Sequence, residues 1–336
     1  MSFKYKKVYI ENYATVTGPY ENEGPLGKYF DKSYKDLYFG TKTWEDAEKK
    51  LILDSIKITL KKQQLKNKDI DLFISGDLLN QIVASNYAAE EIKIPYLGIY
   101  SACASAVEGL IIGANMIESK QINNCLCTVS SHNNGAEKQF RYPVEYGGPK
   151  PLTQTFTVTG SACAYLGRNK KGIRIESATI GTACDYGIKD IYNMGAVMAP
   201  AAAETIYKHL KETNRKIDYY DLILTGDLGK YGKAILKQFM EIEYGIKLKN
   251  YEDTACMIYD LNKKNLIAGA SGPACAPLVT YSYIFNKMLN HKISRVLLVA
   301  TGALMNSTMV NEKKSIPSIA HAISLEVVKW FILIHF

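Results

Sequence analysis

Residues 71–79 read DLFISGDLL, and the chain repeats this stretch as DLILTGDLG at residues 221–229. Each copy is a short apolar run that ends at Gly-Asp, which is typical of a buried strand followed by a turn. A second pair of segments also matches: Ala102-Cys103-Ala104 corresponds to Ala274-Cys275-Ala276, and each opens a helix of small residues. Both pairs indicate an internal duplication of one unit of strands and helices.

Strands alternate with helices on both sides of the repeat. The apolar runs predict strands at 69–75, 94–100, 125–131, 218–229, 294–302 and 319–328, and helices at 44–67, 101–119, 232–245 and 273–289. Such alternation predicts parallel sheets covered by helices. We therefore expect an α/β fold of five layers, α/β/α/β/α, with mixed, mainly parallel sheets and with halves at 1–170 and 171–336.

Residues from about 132 to 200 are rich in Gly, Pro, Thr and Tyr. We interpret this segment as an irregular insert, which begins in the first half. Long inserts of this kind usually form a binding rim or a partner interface.

Composition excludes several classes of protein. The chain has 336 residues, of which 47% are hydrophobic and 22% charged, as in ordinary globular proteins. No run of 18 apolar residues occurs, so no membrane-spanning helix is predicted, and the first residues lack the pattern of a signal peptide. The net charge of +8 comes mostly from isolated lysine pairs rather than from a basic stripe, so we expect no nucleic-acid partner. The seven cysteines and five histidines suggest reduced thiols and neither a metal site nor a cofactor.

Cys103 is the first candidate for chemistry. It follows the predicted strand 94–100 through a Ser-Ala turn and opens the helix 101–119. Backbone N–H groups at a helix N-terminus favour an anion, and they also favour a thiolate. Cys103 is therefore either a nucleophile or the floor of an anion pocket, or else simply a small residue in a tight crossing.

The repeated strand–Ala-Cys–helix element resembles the thiolase and ketoacyl synthase superfamily. Within it, about residues 8–328 resemble the stage V sporulation protein AD family. The motifs that carry this resemblance are GPLGKYFD (24–31), GDLLNQ (76–81), SSHNNGAEKQFRYPVEYGGPKP (130–151), TVTGSAC (157–163), MAPAAAETI (198–206), DYYDLILTGDLG (218–229) and VATGAL (299–304). That family is associated with movement of dipicolinic acid in bacterial spores, beside membrane proteins of the same operon.

The resemblance to condensing enzymes also implies two catalytic partners for Cys103, a histidine and an asparagine. The corresponding loops read Thr225-Gly226-Asp227-Leu228-Gly229 and Gly269-Ala270-Ser271-Gly272, so Gly226 and Ala270 stand at those positions. Loss of such partners typically costs a factor of hundreds or more in rate. The resemblance therefore implies a degenerate active site that has room for a small planar ligand.

Other polar residues have both a functional and a structural interpretation. His132 and His321 follow or begin predicted strands, where each is a substitute base or a hydrogen-bonded structural histidine. Asp77 and Asp227 follow glycine at matching strand ends, where an aspartate caps a helix or forms a polar pocket wall. Arg141 binds a carboxylate of the ligand, or it forms an ion pair with Glu137 or Glu145.

The leading hypothesis is a non-catalytic protein that binds dipicolinic acid or its calcium chelate, for uptake into the developing spore and release in germination. The expected ligand-binding residues are Cys103, Ala104, His132, Arg141, Gly226, Asp227, Ala270 and Ser271. The alternatives are an active acyltransferase that uses Cys103 and a purely scaffolding subunit. We expect a homodimer, peripheral at the spore inner membrane, and either membrane contact or a buried strand for the apolar tail 327–336.

Overall fold

The computed structural model describes residues 1–263 and 266–327 of the chain. The strands, numbered in chain order, are β1 (Ser2–Lys4), β2 (Tyr9–Thr17), β3 (Lys32–Ser33), β4 (Leu72–Gly76), β5 (Tyr96–Gly98), β6 (Cys125–Ser131), β7 (Phe156–Thr157), β8 (Gly160–Gly167), β9 (Ile173–Ile180), β10 (Leu222–Thr225), β11 (Tyr251–Asp253), β12 (Ala270–Ser271), β13 (Arg295–Ala303) and β14 (Ser318–Val327). The helices are α1 (Pro19–Asn22), α2 (Trp44–Gln63), α3 (Val83–Ile92), α4 (Ser105–Glu118), α5 (Asn133–Phe140), α6 (Met194–Thr213), α7 (Gly229–Tyr244), α8 (Ala255–Ile258), α9 (Cys275–Val279), α10 (Phe285–Leu289) and α11 (Ser307–Asn311). A π-helical turn, Thr280–Ile284, joins α9 to α10 in one continuous helical segment.

The order of strands in the main sheet repeats between the two halves. It runs β11-β10-β13-β14-β9 through the second half and then β2-β8-β6-β4-β5 through the first. In the first half β4 lies between two parallel partners, β5 and β6, and in the second half β10 lies between β11 and β13. The remaining neighbours within each half are antiparallel. The matching stretches 71–79 and 221–229 thus occupy equivalent strands, β4 and β10. A short antiparallel contact of β2 with β9 joins the halves.

Helices form the layers on either side of these strands. The helix α4 and the α9–α10 segment contact strands of both halves, so they form the central layer. Outside it, α2 and α3 cover the strands of the first half, while α6 and α7 cover those of the second. The predicted α/β fold with five layers is therefore confirmed.

The central helix α4 is apolar on nearly all sides, as expected for a helix that sheets cover on both faces. Its glycines let β6 approach closely. A Cβ placed on Gly113 would lie 2.6 Å from the Cys125 sulfur, where no real side chain fits. Close packing of this kind fixes the N-terminus of α4, and with it the turn that carries Cys103.

The prediction of an irregular insert over 132–200 is wrong. This segment contains α5, β8, β9 and the start of α6, and β8 lies inside the sheet between β2 and β6. Every residue of β8 is buried, and a Cβ on Gly160 would lie 2.9 Å from both a Leu278 methyl group and the Val16 carbonyl oxygen. The small residues of this segment, which suggested a loop, instead let α9 pack closely on the central strand β8.

Two element boundaries also differ from expectation. The helix after Cys103 begins at Ser105, with Ala104 as its N-cap, so Cys103 precedes the helix rather than opening it. The predicted strand 94–100 is reduced to β5. The proposed boundary between halves, 170/171, falls in the turn between β8 and β9.

Across residues 1–263 and 266–327, no helix combines the length and the apolar character needed to cross a membrane. The predictions for the apolar tail 327–336 lie, after Val327, outside the described residues.

Candidate functional site

Cys103 lies on a strained turn between β5 and α4. The residue before it, Ala102, has a φ of +50°, a left-handed conformation that costs energy for a residue with a Cβ. The Ala104 and Ser105 amides donate to the carbonyls of Ser101 and Ala102, at 3.1 and 3.2 Å, and so hold the turn closed. From the other half, β13 presses against this turn, because a Cβ on Gly302 would collide with the Ser101 carbonyl oxygen. The turn thus fixes the sulfur at the junction of the two halves.

The Cys103 side chain faces a cavity of about 60 Å³, which we call the inner chamber. Most of its wall is apolar, and both halves contribute. The first half supplies Leu78, Ala102, Ala136 and Phe140, and the second supplies Met194, Met198, Ala303 and Met305. The polar lining groups belong to Tyr100, Cys103, Arg141, Thr157, Asp227 and Ser271. The chamber therefore suits a small ligand with an apolar body and a few polar atoms.

A wider cavity of about 640 Å³, the outer cavity, adjoins the inner chamber and shares Leu78, Tyr100, Phe140 and Met305 with it. Its other lining residues include amides and hydroxyls, among them Asn80, Gln139 and Ser307. The two cavities therefore meet at these four side chains.

Asp227 is the buried acid of the inner chamber. Its Oδ1 accepts a hydrogen bond of 2.6 Å from the Thr301 hydroxyl, while Oδ2 has no hydrogen-bond partner among the described residues. The Cys103 thiol lies beside this carboxyl, but not in hydrogen-bond geometry with Oδ2. Burial raises the pKa of Asp227 to about 7; the neighbouring Cys103 and Thr301 partly oppose this rise, and the Asp253 carboxylate adds to it.

Asp253, which is also buried, has a different environment. Its two oxygens accept from the Thr225 hydroxyl at 2.6 Å and from the backbone amides of Leu228, Gly229 and Ala255 at 2.9–3.2 Å. Three of these bonds, from Thr225, Leu228 and Gly229, tether the loop that carries Asp227. Asp253 is thus a structural residue that fixes Asp227 in the chamber wall.

The surroundings of the Cys103 thiol disfavour its ionisation. Burial raises its pKa well above the ordinary range, and the nearby Asp227 carboxylate raises it further; only the Gly272 backbone amide acts in the opposite direction. A cysteine acts as a nucleophile through its thiolate, which these surroundings disfavour. These surroundings favour the neutral thiol, whose sulfur is polarisable.

Arg141 brings a positive charge to the chamber. It forms an ion pair with Glu137, with Nη1 2.9 Å from Oε1, and Nη2 donates to the Ile191 carbonyl at 3.3 Å. Both side chains of the pair are more than nine-tenths buried. The Nε atom has no hydrogen-bond partner within the described chain. Of the two alternatives for Arg141, the ion pair with Glu137 is formed, and the Arg141 side chain also contributes to the chamber wall.

The structure brings four of the eight predicted site residues to the chamber wall, namely Cys103, Arg141, Asp227 and Ser271. Three others lie behind it. Ala104 is fully buried at the start of α4, Ala270 pairs with Phe156 in the small sheet of β7 and β12, and the Gly226 carbonyl accepts from Thr254.

His132 is not brought to the chamber. Its Nε2 donates to the Leu37 carbonyl at 2.9 Å, and its ring stacks on Trp44 with centroids 5.2 Å apart. Burial lowers the pKa of His132 to about 4. His321 also lies elsewhere, accepting at Nδ1 from the Gly181 amide. Both positions match the structural interpretation of these histidines.

Several residues of the site were missed from the sequence. Thr301, the partner of Asp227, lies inside the motif VATGAL, but nothing local reveals that contact. Met194 and Met198 did carry a signal, since their spacing of four places both on one face of α6. As for metals, no group of histidine, cysteine or acidic residues in the described part of the chain has the arrangement of a metal site.

Comparisons with known proteins identify a family that this chain matches. A family model described as Stage V sporulation protein AD (SpoVAD) matches residues 1–326. The Stage V sporulation protein AD of Bacillus subtilis (strain 168) is 44% identical over 320 residues, which cover 95% of this chain and 94% of that protein.

Solved structures share the fold. The 3-oxoacyl-(acyl-carrier-protein) synthase III of Aquifex aeolicus VF5 has a TM-score of 0.58 and 11% identity, and the match covers 95% of this chain and 99% of that one. A variant of OleA from Xanthomonas campestris has a TM-score of 0.62 and 13% identity, over 96% and 99% of the two chains. At such identities the likeness is one of fold alone.

Proposed function

Because this chain belongs to the stage V sporulation protein AD family, whose members are sporulation proteins, we propose that it binds dipicolinic acid or its calcium chelate without catalysis. In this role it serves uptake of dipicolinate into the developing spore and its release during germination. The ligand occupies the inner chamber and enters through the outer cavity.

The observation that carries this proposal is the chemistry around Cys103. None of the four histidines in the described residues lines the chamber, and the one acid beside the sulfur raises the thiol pKa. An acyltransferase needs the opposite, a base or a positive charge that favours the thiolate. A chamber with a neutral thiol is suited to holding a ligand rather than to attacking one.

The wall also suits this ligand. Dipicolinate is a flat aromatic ring that carries two carboxylates. The apolar side chains of Leu78, Phe140 and Met198 offer contact to the ring, and the Arg141 guanidinium offers hydrogen bonds and charge to a carboxylate. Ser271 and Thr157 add hydroxyl donors.

We further propose that the protein acts as a homodimer at the spore inner membrane, in peripheral association with membrane proteins of the same operon. This proposal rests on the family to which the chain belongs.

Titration calorimetry with the purified chain tests ligand binding. We expect dipicolinate, free or with calcium, to bind at micromolar affinity or better. Cys103→Ala should weaken binding by about tenfold, or ~1.4 kcal/mol, because the sulfur contact is replaced by a void. Cys256→Ala, a half-buried cysteine outside the chamber, is the matched control and should bind as wild type. If neither ligand form gives heat, the proposal is rejected.

The acyltransferase alternative has its own measurement. After incubation with acyl-CoA of several chain lengths, intact mass spectrometry should show the unmodified chain, since the surroundings of Cys103 disfavour its thiolate. An acyl adduct that disappears in Cys103→Ala would overturn the non-catalytic proposal.

A further inference from the structure

Two buried polar atoms, each on a side chain that lines the inner chamber, have no hydrogen-bond partner in residues 1–263 and 266–327. They are Oδ2 of Asp227, which is 1% exposed, and Nε of Arg141. Both side chains line the same cavity. Buried polar atoms are seldom left unpaired in a folded protein, so each indicates what a bound molecule must supply.

The two atoms require different partners. Arg141 is a donor only, and it requires an acceptor such as a carboxylate. Asp227 accepts when it is ionised, so it requires a donor, and when it is protonated it becomes a donor itself. A dicarboxylate dianion offers acceptors only. Its second carboxylate can lie against Asp227 only if one proton is present between them, since two carboxylates at hydrogen-bond distance cannot both be ionised.

No neighbour of Asp227 removes this requirement. The titratable groups that face it are Cys103 from the turn before α4, Cys275 from α9 and Asp253 from β11, and none of these is a cation. The β13 strand contributes the Thr301 hydroxyl, which is already used. Across the chamber, Arg141 has its charge balanced by Glu137. Among the residues that the structure describes, no unpaired cation is therefore found beside Asp227 to neutralise a second ligand carboxylate.

We propose that the chamber binds its ligand with one shared proton: one carboxylate contacts Arg141, and the other shares a single proton with the Asp227 carboxyl. The bound species is thus a hydrogen-dicarboxylate rather than the dianion or the metal chelate. This inference rests on the proposed function and specifies the form of its ligand.

The proton balance follows from the state of Asp227 before binding. Because burial raises the pKa of Asp227 to about 7, the free protein carries this proton below that pH and lacks it above. Binding of the dianion at higher pH must therefore take one proton from solvent. Binding at lower pH takes none, because Asp227 supplies the proton.

Calorimetry in pairs of buffers with different ionisation enthalpies measures this uptake. For the wild-type chain with calcium-free dipicolinate, we expect uptake of about one proton per ligand at pH 8.5 and nearly none at pH 6. The affinity should fall about tenfold per pH unit above pH 7. Dipicolinate that binds without proton uptake at pH 8.5 overturns this inference and leaves the proposed function intact. No binding at any pH overturns both.

Asp227→Asn is the decisive variant, since the amide donates a hydrogen bond without titrating. It should bind at pH 8.5 at least as tightly as the wild type does at pH 6, with no proton uptake and a flat pH profile. Asp218→Asn, an exposed aspartate outside the chamber, should keep the wild-type profile. An Asp227→Asn variant that retains the wild-type proton uptake overturns the inference.

Thr301→Val provides a second measurement if Asp227→Asn does not fold. It removes only the hydroxyl that donates to Oδ1, which stabilises the ionised form of Asp227. The pKa of Asp227 should rise, so the pH at which affinity begins to fall should move upward. If the pH at which affinity begins to fall stays the same or moves downward, the pH dependence of binding is not due to Asp227.

Discussion

At the scale of single residues, Glu48 is a buried acid that the candidate site does not use. It lies on α2 with no exposed surface, and its Oε1 accepts from the Ser130 hydroxyl at 2.8 Å. Its Oε2 has no hydrogen-bond partner in the described residues. Burial raises the pKa of Glu48 well above its ordinary value of 4.5, and the Asp77 carboxylate raises it further. The folded protein therefore favours the protonated acid.

Glu48→Gln should stabilise the protein at neutral and alkaline pH. In the unfolded chain Glu48 ionises above pH 4.5, whereas in the folded chain it stays protonated to a higher pH, so its contribution to stability falls as pH rises between the two values. The neutral amide avoids this loss and still accepts from Ser130. We expect a gain on the order of 1 kcal/mol in urea unfolding at pH 8, and a smaller gain at pH 5.

The control is Glu45→Gln on the same helix, where the carboxylate is partly exposed and pairs with Lys138 at 3.4 Å. Surface pairs of this kind contribute little, so its unfolding free energy should change by less than about 1 kcal/mol. A Glu48→Gln variant that is less stable than wild type at pH 8 would show that Glu48 is ionised and held by contacts.

Local roles of residues could be predicted from the sequence, and long-range ones could not. Asp77 was given a capping interpretation, and its oxygens do accept from the Leu79 and Ser85 amides at 2.9 and 2.8 Å. Asp227 stands in the same Gly-Asp motif, but its partner is Thr301, 74 residues away. For His132 the structural interpretation matches its position, but its partners Leu37 and Trp44 are remote in sequence and could not be named from it.

At the scale of elements, β5 is an end strand of the main sheet. It is three residues long, and the Leu97 side chain is 43% exposed. An unpaired strand edge with an apolar residue is a ready surface for another chain. The homodimer that we propose would cover this edge with the same strand of a second copy.

Leu97→Lys should therefore convert the dimer to a monomer. If the two edges meet, the charge of each new lysine is buried without a partner. This burial costs about 2 kcal/mol or more per copy, and therefore several kcal/mol for the symmetric pair. Light scattering after gel filtration measures the mass. Ile242→Lys, on the exposed side of α7, is the control and should leave the mass unchanged. A dimer that persists in Leu97→Lys would place the interface elsewhere.

The long helices could be predicted because their signals are local. The sequence predicts a helix over 44–67, and α2 spans Trp44–Gln63, with the Thr43 hydroxyl accepting from the Asp46 amide at 3.1 Å. The strands β8 and β9 were missed because their pattern is not local. In β8, Gly, Ala, Ser and Cys serve contacts with α2 and α9, and those contacts depend on the assembled layers.

At the scale of the whole molecule, the inner chamber depends on both halves. Cys103 and Arg141 come from the first, and Asp227, Ser271 and Met305 come from the second. A bound ligand therefore contacts both halves and should oppose their separation. This differs from a site within one half, whose ligand would stabilise that half alone.

Dipicolinate should raise the unfolding temperature of the entire chain in one transition. At a ligand concentration of 100 times Kd, mass action adds about 2.7 kcal/mol to stability. For a chain of this length the expected rise is a few degrees, measured by scanning calorimetry with pyridine-2,4-dicarboxylate as the control isomer. Two separate transitions, of which one alone moves, would contradict a chamber shared by the halves.

The duplication itself could be predicted from sequence, since the repeated letters at 71–79 and 221–229 do lie on equivalent strands, β4 and β10. The shape of the chamber could not. It arises where Gly302 of one half lets β13 press on the Cys103 turn of the other, and no local pattern records that contact.

The turn between β8 and β9 is the single covalent link between the two halves. Asn169, Lys170 and Lys171 are exposed there, and Gly172 adopts a φ of +72°. A break in the backbone at this turn would remove none of the layers, because the strands β2 and β9 meet by hydrogen bonds rather than by the peptide chain. Every described strand and helix would then lie wholly within one fragment or the other.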